Sequence, residues 1–326
     1  MIKGEINMKI LKLTPPTKDY IWGGTRLSKE YGILSFEDRQ AEAWMLSCHE
    51  AGHCVIENGD FKGRTLADVL ADEGKNYLGT NCERFKEFPI LIKLIDALDN
   101  LSVQVHPDDA YALEHEGEYG KTEAWYIVDC DDDAEIIYGF KKDIDSETFR
   151  KSIEENTLLE YVNRVKVKKG DIFFIQAGTL HAICKGILLA EVQQNSNTTY
   201  RVYDYGRLQN GKPRELHVEK AIDVTSTKAI DASGKPQGET VDMGGYKETL
   251  LTSCELFTVK RLDVTESAKL NADEKSFVSL VALEGNGVVM HDDTCVTLYK
   301  GDSLFIPASF GEFEILGEVT VIETRV

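Results

Sequence analysis

The side chains best suited to chemistry lie in three short apolar segments, Gln104-Val105-His106, Lys121-Thr122-Glu123 and Gly178-Thr179-Leu180-His181. From these, Gln104, His106, Glu123 and His181 offer one amide oxygen, two imidazoles and one carboxylate. Mixed nitrogen and oxygen donors of this kind suit a divalent metal, zinc above all, in a catalytic site. A structural zinc site is closed and usually built from cysteine. This set contains no thiolate.

Alternation along a strand explains how two of these donors share a direction. Over residues 101–106, Val103 and Val105 fall on one face and Ser102, Gln104 and His106 on the other. Same-face neighbours lie roughly 7 Å apart, so their side chains can converge on one ion. The simpler alternative is a strand whose polar face meets water. Glu123 beside Lys121, and His181 after a glycine turn, favour the ion.

Residues 186–207 form a second rich stretch. Glu191 and Gln193 share a strand face with Ile187 and Leu189, and Arg201 shares one with Thr199 and Tyr203. Set inward on adjacent strands, Glu191 and Arg201 would supply a proton-transfer group and a clamp for an oxyanion or phosphate. A plain ion pair between the two strands is the alternative. His49-Glu50-Ala51-Gly52-His53 fits the H-e-x-x-h expression of metalloproteases, which needs both histidines on one helix face. Gly52 disfavours that helix by about 1 kcal/mol, and the segment reads better as strand, loop and strand. Neither a phosphate-cradling nor a dinucleotide-binding glycine motif is present.

The elements that must position these groups are short. Helices are expected over 65–73, with Thr65 as N-cap, over 108–116 after Pro107, and over 146–162. Most of the remainder is β-rich runs bounded by Gly, Asn and Asp, including 90–94, 102–106, 125–128, 136–138, 172–175, 186–193, 200–203, 277–283 and 319–324. Many short strands with few helices predict a mainly β protein, a sandwich or jelly roll. Lys169-Gly170-Asp171-Ile172-Phe173-Phe174-Ile175-Gln176-Ala177 is echoed by Lys300-Gly301-Asp302-Ser303-Leu304-Phe305-Ile306-Pro307-Ala308. Eleven positions beyond each glycine stand His181 and Glu312. Two related β domains follow, of which the first keeps a metal site. The polar stretch 231–245 is the expected connection.

Composition narrows the class. The 326 residues suffice for about two domains with ordinary cores. A net charge of −19 argues against nucleic acid, whose backbone is held by a Lys/Arg excess, and against anionic membranes. A small anion stays allowed, because charge beyond about 8 Å is largely screened. No apolar run is long enough to span a bilayer, and the first residues carry no secretory pattern. Seven scattered cysteines are expected to be reduced thiols in a cytoplasmic protein. Oligomeric state leaves no mark on the sequence.

Taken together, the segments 21–24, 41–44, 101–108, 120–126, 170–183, 186–207 and 214–217 resemble the type I mannose-6-phosphate isomerases, zinc enzymes of the cupin superfamily, in their shorter bacterial form. The resemblance implies two cupin-type jelly-roll β-sandwich halves with a few short helices inserted. It implies a catalytic unit over 1–235, with helical insertions near 108–117 and 146–162, and a second, metal-free cupin-like unit over 246–326. It also implies one zinc per chain on Gln104, His106, Glu123 and His181, with Arg201, Glu191 and Lys121 catalytic. Ser102, Lys121 and Arg201 would bind substrate. Relatives often carry Asp where this chain has Asn197, so no proton-transfer role is carried over to that position. The expected reaction interconverts mannose 6-phosphate and fructose 6-phosphate through an enediol(ate). A cupin that binds a sugar phosphate without catalysis, or an Fe(II) cupin oxygenase using the same donors, are the alternatives.

Overall fold

A computed structural model describes residues 9–230, 233–292 and 294–326. The first eight residues of the N-terminal segment, and Asp231 and Ala232 at the head of the expected connection, lie outside the described residues. The fold is mainly β. A six-stranded sheet has the order Ile172–Ile175, Glu123–Cys130, Ile187–Gln194, Ile90–Ala97, Glu42–Leu46 and Thr17–Lys18. A five-stranded sheet has the order Val162–Lys166, Glu135–Phe140, His181–Ile183, Val103–Val105 and Tyr200–Tyr203. Neighbouring strands in both sheets are antiparallel. Trp125, Ile95, Leu189 and Phe173 from the first sheet pack with Ile136 and Ile183 from the second, closing a jelly-roll sandwich.

Strand Ile90–Ala97 is buried along its whole length because both of its faces are covered. Ile90, Ile92 and Leu94 pack outward onto Phe277, Val281, Phe305 and Ile322 of the C-terminal half. Ile95 and Ala97 belong to the interior of the sandwich. The five-stranded sheet has its outer face covered too: Val103, Val105, Phe140 and Val202 pack against Phe149 and Ala221 of helices Ser146–Glu154 and Val218–Val224. The alternative of a water-facing strand at 102–106 therefore fails.

The C-terminal half is one sheet built around two long strands, Val278–His291 and Gly311–Arg325. Its edge is extended by chain from the N-terminus: Leu11–Thr14 pairs with Ser303–Ile306 on one side and with Val55–Ile56 on the other. The two echoed segments share backbone as well as sequence. Gly170 and Gly301 have φ of 92° and 91°, and Gly178 and Ser309, eight residues on from each, are also left-handed. At Gly301 a side chain has no room, since an added Cβ would lie 2.1 Å from the Tyr31 carbonyl oxygen. Gly301→Ala is expected to destabilise the protein by about 2 kcal/mol or more, as strain adds to the clash; urea unfolding at equilibrium measures it.

Two helices match expectation. Leu66–Glu73 is capped by Thr65, whose hydroxyl accepts from the Asp68 N–H, and Asp109–His115 is capped by Asp108. The third is shorter than 146–162. It ends at Glu154, Asn156 turns left-handed at φ 59°, and Val162 opens a strand paired with Phe140. Apolar side chains at 158 and 162 fit the helical stripe, but they serve a single helical turn and a strand. No helix among the described residues is long and apolar enough to cross a membrane.

Candidate active site

Three strands of the five-stranded sheet set one row of site residues. Gln104 is in register with His181 on one neighbour and with Arg201 on the other. Cross-strand neighbours have Cβ atoms about 5 Å apart, so the three side chains rise side by side into the sandwich. The opposite sheet supplies a second row, with Glu191 in register with both Trp125 and Lys93, and Gln193 with Glu123.

His106, Glu123 and His181 converge: a metal-ligating atom from each lies within 4.8 Å of the others, and all three are at most 1 % exposed. The Nε2 atoms of His106 and His181 are 3.1 Å apart, and His181 Nε2 lies 3.4 Å from Glu123 Oε1. Each histidine has its Nδ1 2.8 Å from a backbone carbonyl, that of Thr198 for His106 and of Thr179 for His181. A carbonyl only accepts, so each Nδ1 carries the proton and each Nε2 presents a lone pair. Burial opposes a second proton on either ring, and the nearby Lys121 ammonium adds to the effect; His181 is pushed down to about 3 and His106 well below the ordinary imidazole range. Two facing lone pairs, beside a buried carboxylate oxygen of Glu123 with no hydrogen-bond partner, are an electron-rich cluster that a divalent cation satisfies. The donor set thus fits a metal.

Lys121 bridges this cluster to the cavity. Its Nζ is 2.5 Å from Glu123 Oε2, 3.2 Å from His106 Nε2 and 3.7 Å from Glu191 Oε1. The cavity, of about 270 Å³, is lined by Ser102, Gln104, Lys121, Glu191, Asn197 and Arg201, together with Trp22, Glu42, Lys93 and Arg214. Every expected site residue thus lies in the cavity wall or in the buried cluster.

Glu191 and Arg201 are not on adjacent strands, contrary to the sequence-based expectation. They stand on opposite sheets, because residues 195–199 carry the chain across the sandwich between strands Ile187–Gln194 and Tyr200–Tyr203. No ion pair joins them. Glu191 accepts a hydrogen bond from Trp125 Nε1 at 2.9 Å and pairs with Lys93 at 3.2 Å. Burial alone would raise its carboxyl, but Lys121 and Lys93 outweigh it and hold the group below the usual range. Arg201 donates from Nε to Ser102 Oγ at 3.2 Å and from Nη1 to the Glu215 carbonyl at 2.9 Å, and no carboxylate of the described residues lies within ion-pair distance of it. Burial and the neighbouring Arg214 cation make its charge costly, which leaves it ready for an anionic ligand.

Sequence reasoning missed Trp22, Glu42, Lys93 and Arg214. Lys93 had a visible signal, a lone lysine inside the apolar run Ile90-Leu91-Ile92-Lys93-Leu94-Ile95. Buried to 4 % exposure, it lies between Glu191 and Glu42, 3.4 Å from the latter. Lys93→Met is expected to cost about 3–5 kcal/mol of stability by leaving two buried carboxylates short of a partner, measurable by chemical denaturation. The H-e-x-x-h segment is no helix: Cys48–His49 and Gly52–His53 form a β-hairpin, and neither histidine joins the ligand cluster.

A two-sheet cupin sandwich enclosing a His/Glu/His cluster that could hold a metal ion, with an anion-ready arginine beside it, is the arrangement of a cupin enzyme. Residues 10–132 match the family model for the phosphomannose isomerase type I catalytic domain, and residues 246–326 that for the mannose-6-phosphate isomerase cupin domain. The chain is 42% identical to the mannose-6-phosphate isomerase ManA of Bacillus subtilis, over 93% of this chain and 94% of that one. It is 39% identical to a mannose-6-phosphate isomerase of Streptococcus mutans, over 94% of both chains. The crystal structure of a mannose 6-phosphate isomerase from Bacillus subtilis superposes with a TM-score of 0.91 at 38% identity, covering 97% of this chain and 99% of the other. The chain belongs to the type I phosphomannose isomerase family.

Proposed function

We propose that this protein interconverts mannose 6-phosphate and fructose 6-phosphate, with one zinc ion per chain held by Gln104, His106, Glu123 and His181. The observation that carries the metal assignment is the pair of facing Nε2 lone pairs 3.1 Å apart beside Glu123. Gln104 is added because its side chain rises between His181 and Arg201. Bound there, zinc supplies a Lewis acid that stabilises negative charge on O1 and O2 of the sugar.

The chain's own groups do the rest. Isomerisation takes the proton from C2 and returns it to C1, while a hydroxyl proton passes from O2 to O1. Glu191, kept ionised by Lys93 and Lys121, serves as the base at C2 and redelivers the proton at C1. Lys121, between Glu191 and Glu123, compensates charge as it builds and guides the oxygen-borne proton. Arg201 faces the developing enediolate, and Ser102 orients Arg201 and the substrate hydroxyls through its hydrogen bond.

Residues 1–235 are the catalytic unit in this scheme, with strand Leu11–Thr14 lent to the sheet of the 246–326 unit. The cytoplasm is the proposed compartment, consistent with seven free cysteines. The deciding experiment is a coupled assay of mannose 6-phosphate conversion on protein of known metal content. Turnover that tracks one zinc per chain supports the scheme; a zinc-loaded protein with no turnover rejects it.

A further inference from the structure

We infer that Asp204 is a positioning residue for the sugar phosphate, acting by aiming Arg214 into the cavity and holding the segment that frames Arg201. The inference rests on the proposed isomerase reading for its substrate, but its geometry stands alone.

Asp204 is a buried carboxylate, its side chain 6 % exposed, that grips two arginines. Arg214 meets it side-on, Nε to Oδ2 at 2.7 Å and Nη2 to Oδ1 at 2.5 Å. Arg207 Nη2 reaches the same Oδ1 at 2.5 Å. Burial works against the charged carboxylate, yet the two guanidiniums hold it ionised and below its usual range.

The chain path shows how residues ten apart come to meet. Tyr205 and Gly206 are consecutively left-handed at φ 55° and 68°, turning Arg207 back so that its N–H donates to the Asp204 carbonyl. Asn210 and Gly211, also left-handed, then close a two-stranded hairpin of Leu208–Gln209 and Lys212–Pro213. The hairpin strands are exposed and bury little of their own, so the Asp204–Arg214 clasp is the strong contact at their base. Beyond it, the Glu215 carbonyl accepts from Arg201, and His217 is tied to Arg201 by two backbone-directed bonds, of 2.8 and 3.2 Å.

Charge gives the geometry its meaning. Arg201, Arg207 and Arg214 are close enough to disfavour one another's charge at Arg201, and Asp204 is the carboxylate gripping two of them. Arg201 and Arg214 line the cavity, so a dianionic phosphate there would meet two guanidiniums. An arginine aimed by a bidentate partner presents its remaining N–H groups in a fixed direction, which a freely rotating one does not.

The test is calorimetric binding of inorganic phosphate to the wild type, Asp204→Asn, Asp204→Glu and Arg214→Lys, alongside steady-state kinetics with mannose 6-phosphate. Asp204→Asn should weaken phosphate about tenfold or more and raise KM in parallel, with kcat changed far less, and Asp204→Glu should restore part of the loss. If Asp204→Asn does not fold, Arg214→Lys, which keeps the charge but loses the side-on grip, should show the same pattern. Unchanged phosphate affinity in a folded variant overturns the inference. So does a fall in kcat and melting temperature with phosphate binding intact, the pattern of a purely structural ion pair. Calorimetry needs no turnover, so an inactive wild type would refute the isomerase reading while leaving the role of Asp204 to be decided by phosphate affinity.

Discussion

Stripped of metal by a chelator, the protein is expected to lose about two to three orders of magnitude in kcat, the scale of a lost electrostatic stabiliser at a developing oxyanion. The fold should survive. The Nδ1 bonds of His106 and His181 to the Thr198 and Thr179 carbonyls do not involve the Nε2 atoms that face the candidate metal, and Lys121 pairs with Glu123. Circular dichroism should therefore be preserved while activity disappears, and stoichiometric zinc should restore it. Gln104→Leu should likewise remove turnover from a folded protein, with the loss partly offset by excess zinc if the amide is a ligand. Full activity in protein shown by elemental analysis to be metal-free would falsify the scheme outright.

Arg201→Ala should lower kcat by about a hundredfold to a thousandfold. Among the described residues the guanidinium has no carboxylate partner to leave orphaned, so stability should change little beyond the loss of the bonds to Ser102 and Glu215. Its place in the Arg201–Gln104–His181 row sets it beside the candidate metal ligand Gln104. Steady-state kinetics separates the roles: a defect confined to KM would reduce Arg201 to an anchor for the phosphate. Arg201→Lys should recover only part of the loss, since an ammonium cannot reproduce the planar fork.

Most of the site was legible because its residues obey local rules. Alternation along 102–106 assigned Gln104 and His106 to one face; the opposite face, Val103 and Val105, is packed under the helices, and Gln104 faces the cavity. A turn glycine before His181 marked the start of a strand, Leu180 and Ala182 facing out and His181 inward. What stayed hidden depended on chain path. Glu191 and Arg201 look like neighbours over ten residues, yet a crossing between sheets separates them, and no periodicity announces which sheet the next strand joins. Glu42 emerges as a site residue only once Ile90–Ala97, Glu42–Leu46 and Ile187–Gln194 are known to be paired, and the same pairing sets Lys93, the lone lysine of its apolar run, between two carboxylates. The helical pattern over 146–162 overran its true end because a left-handed asparagine halts a helix without altering the apolar spacing around it. Arg214 reaches the cavity through two consecutive turns and a buried carboxylate, none of which is a motif.

The pairing of Leu11–Thr14 with Ser303–Ile306 has a consequence for biosynthesis. Nearly three hundred residues separate these strands, so Leu11–Thr14 leaves the ribosome long before its partner strand is made. Until then Leu11 and Leu13, which are fully shielded in the finished protein, stay without their final neighbour. A nascent chain stalled before residue 303 would carry His106, Glu123 and His181 yet lack the strand that pairs with Leu11–Thr14.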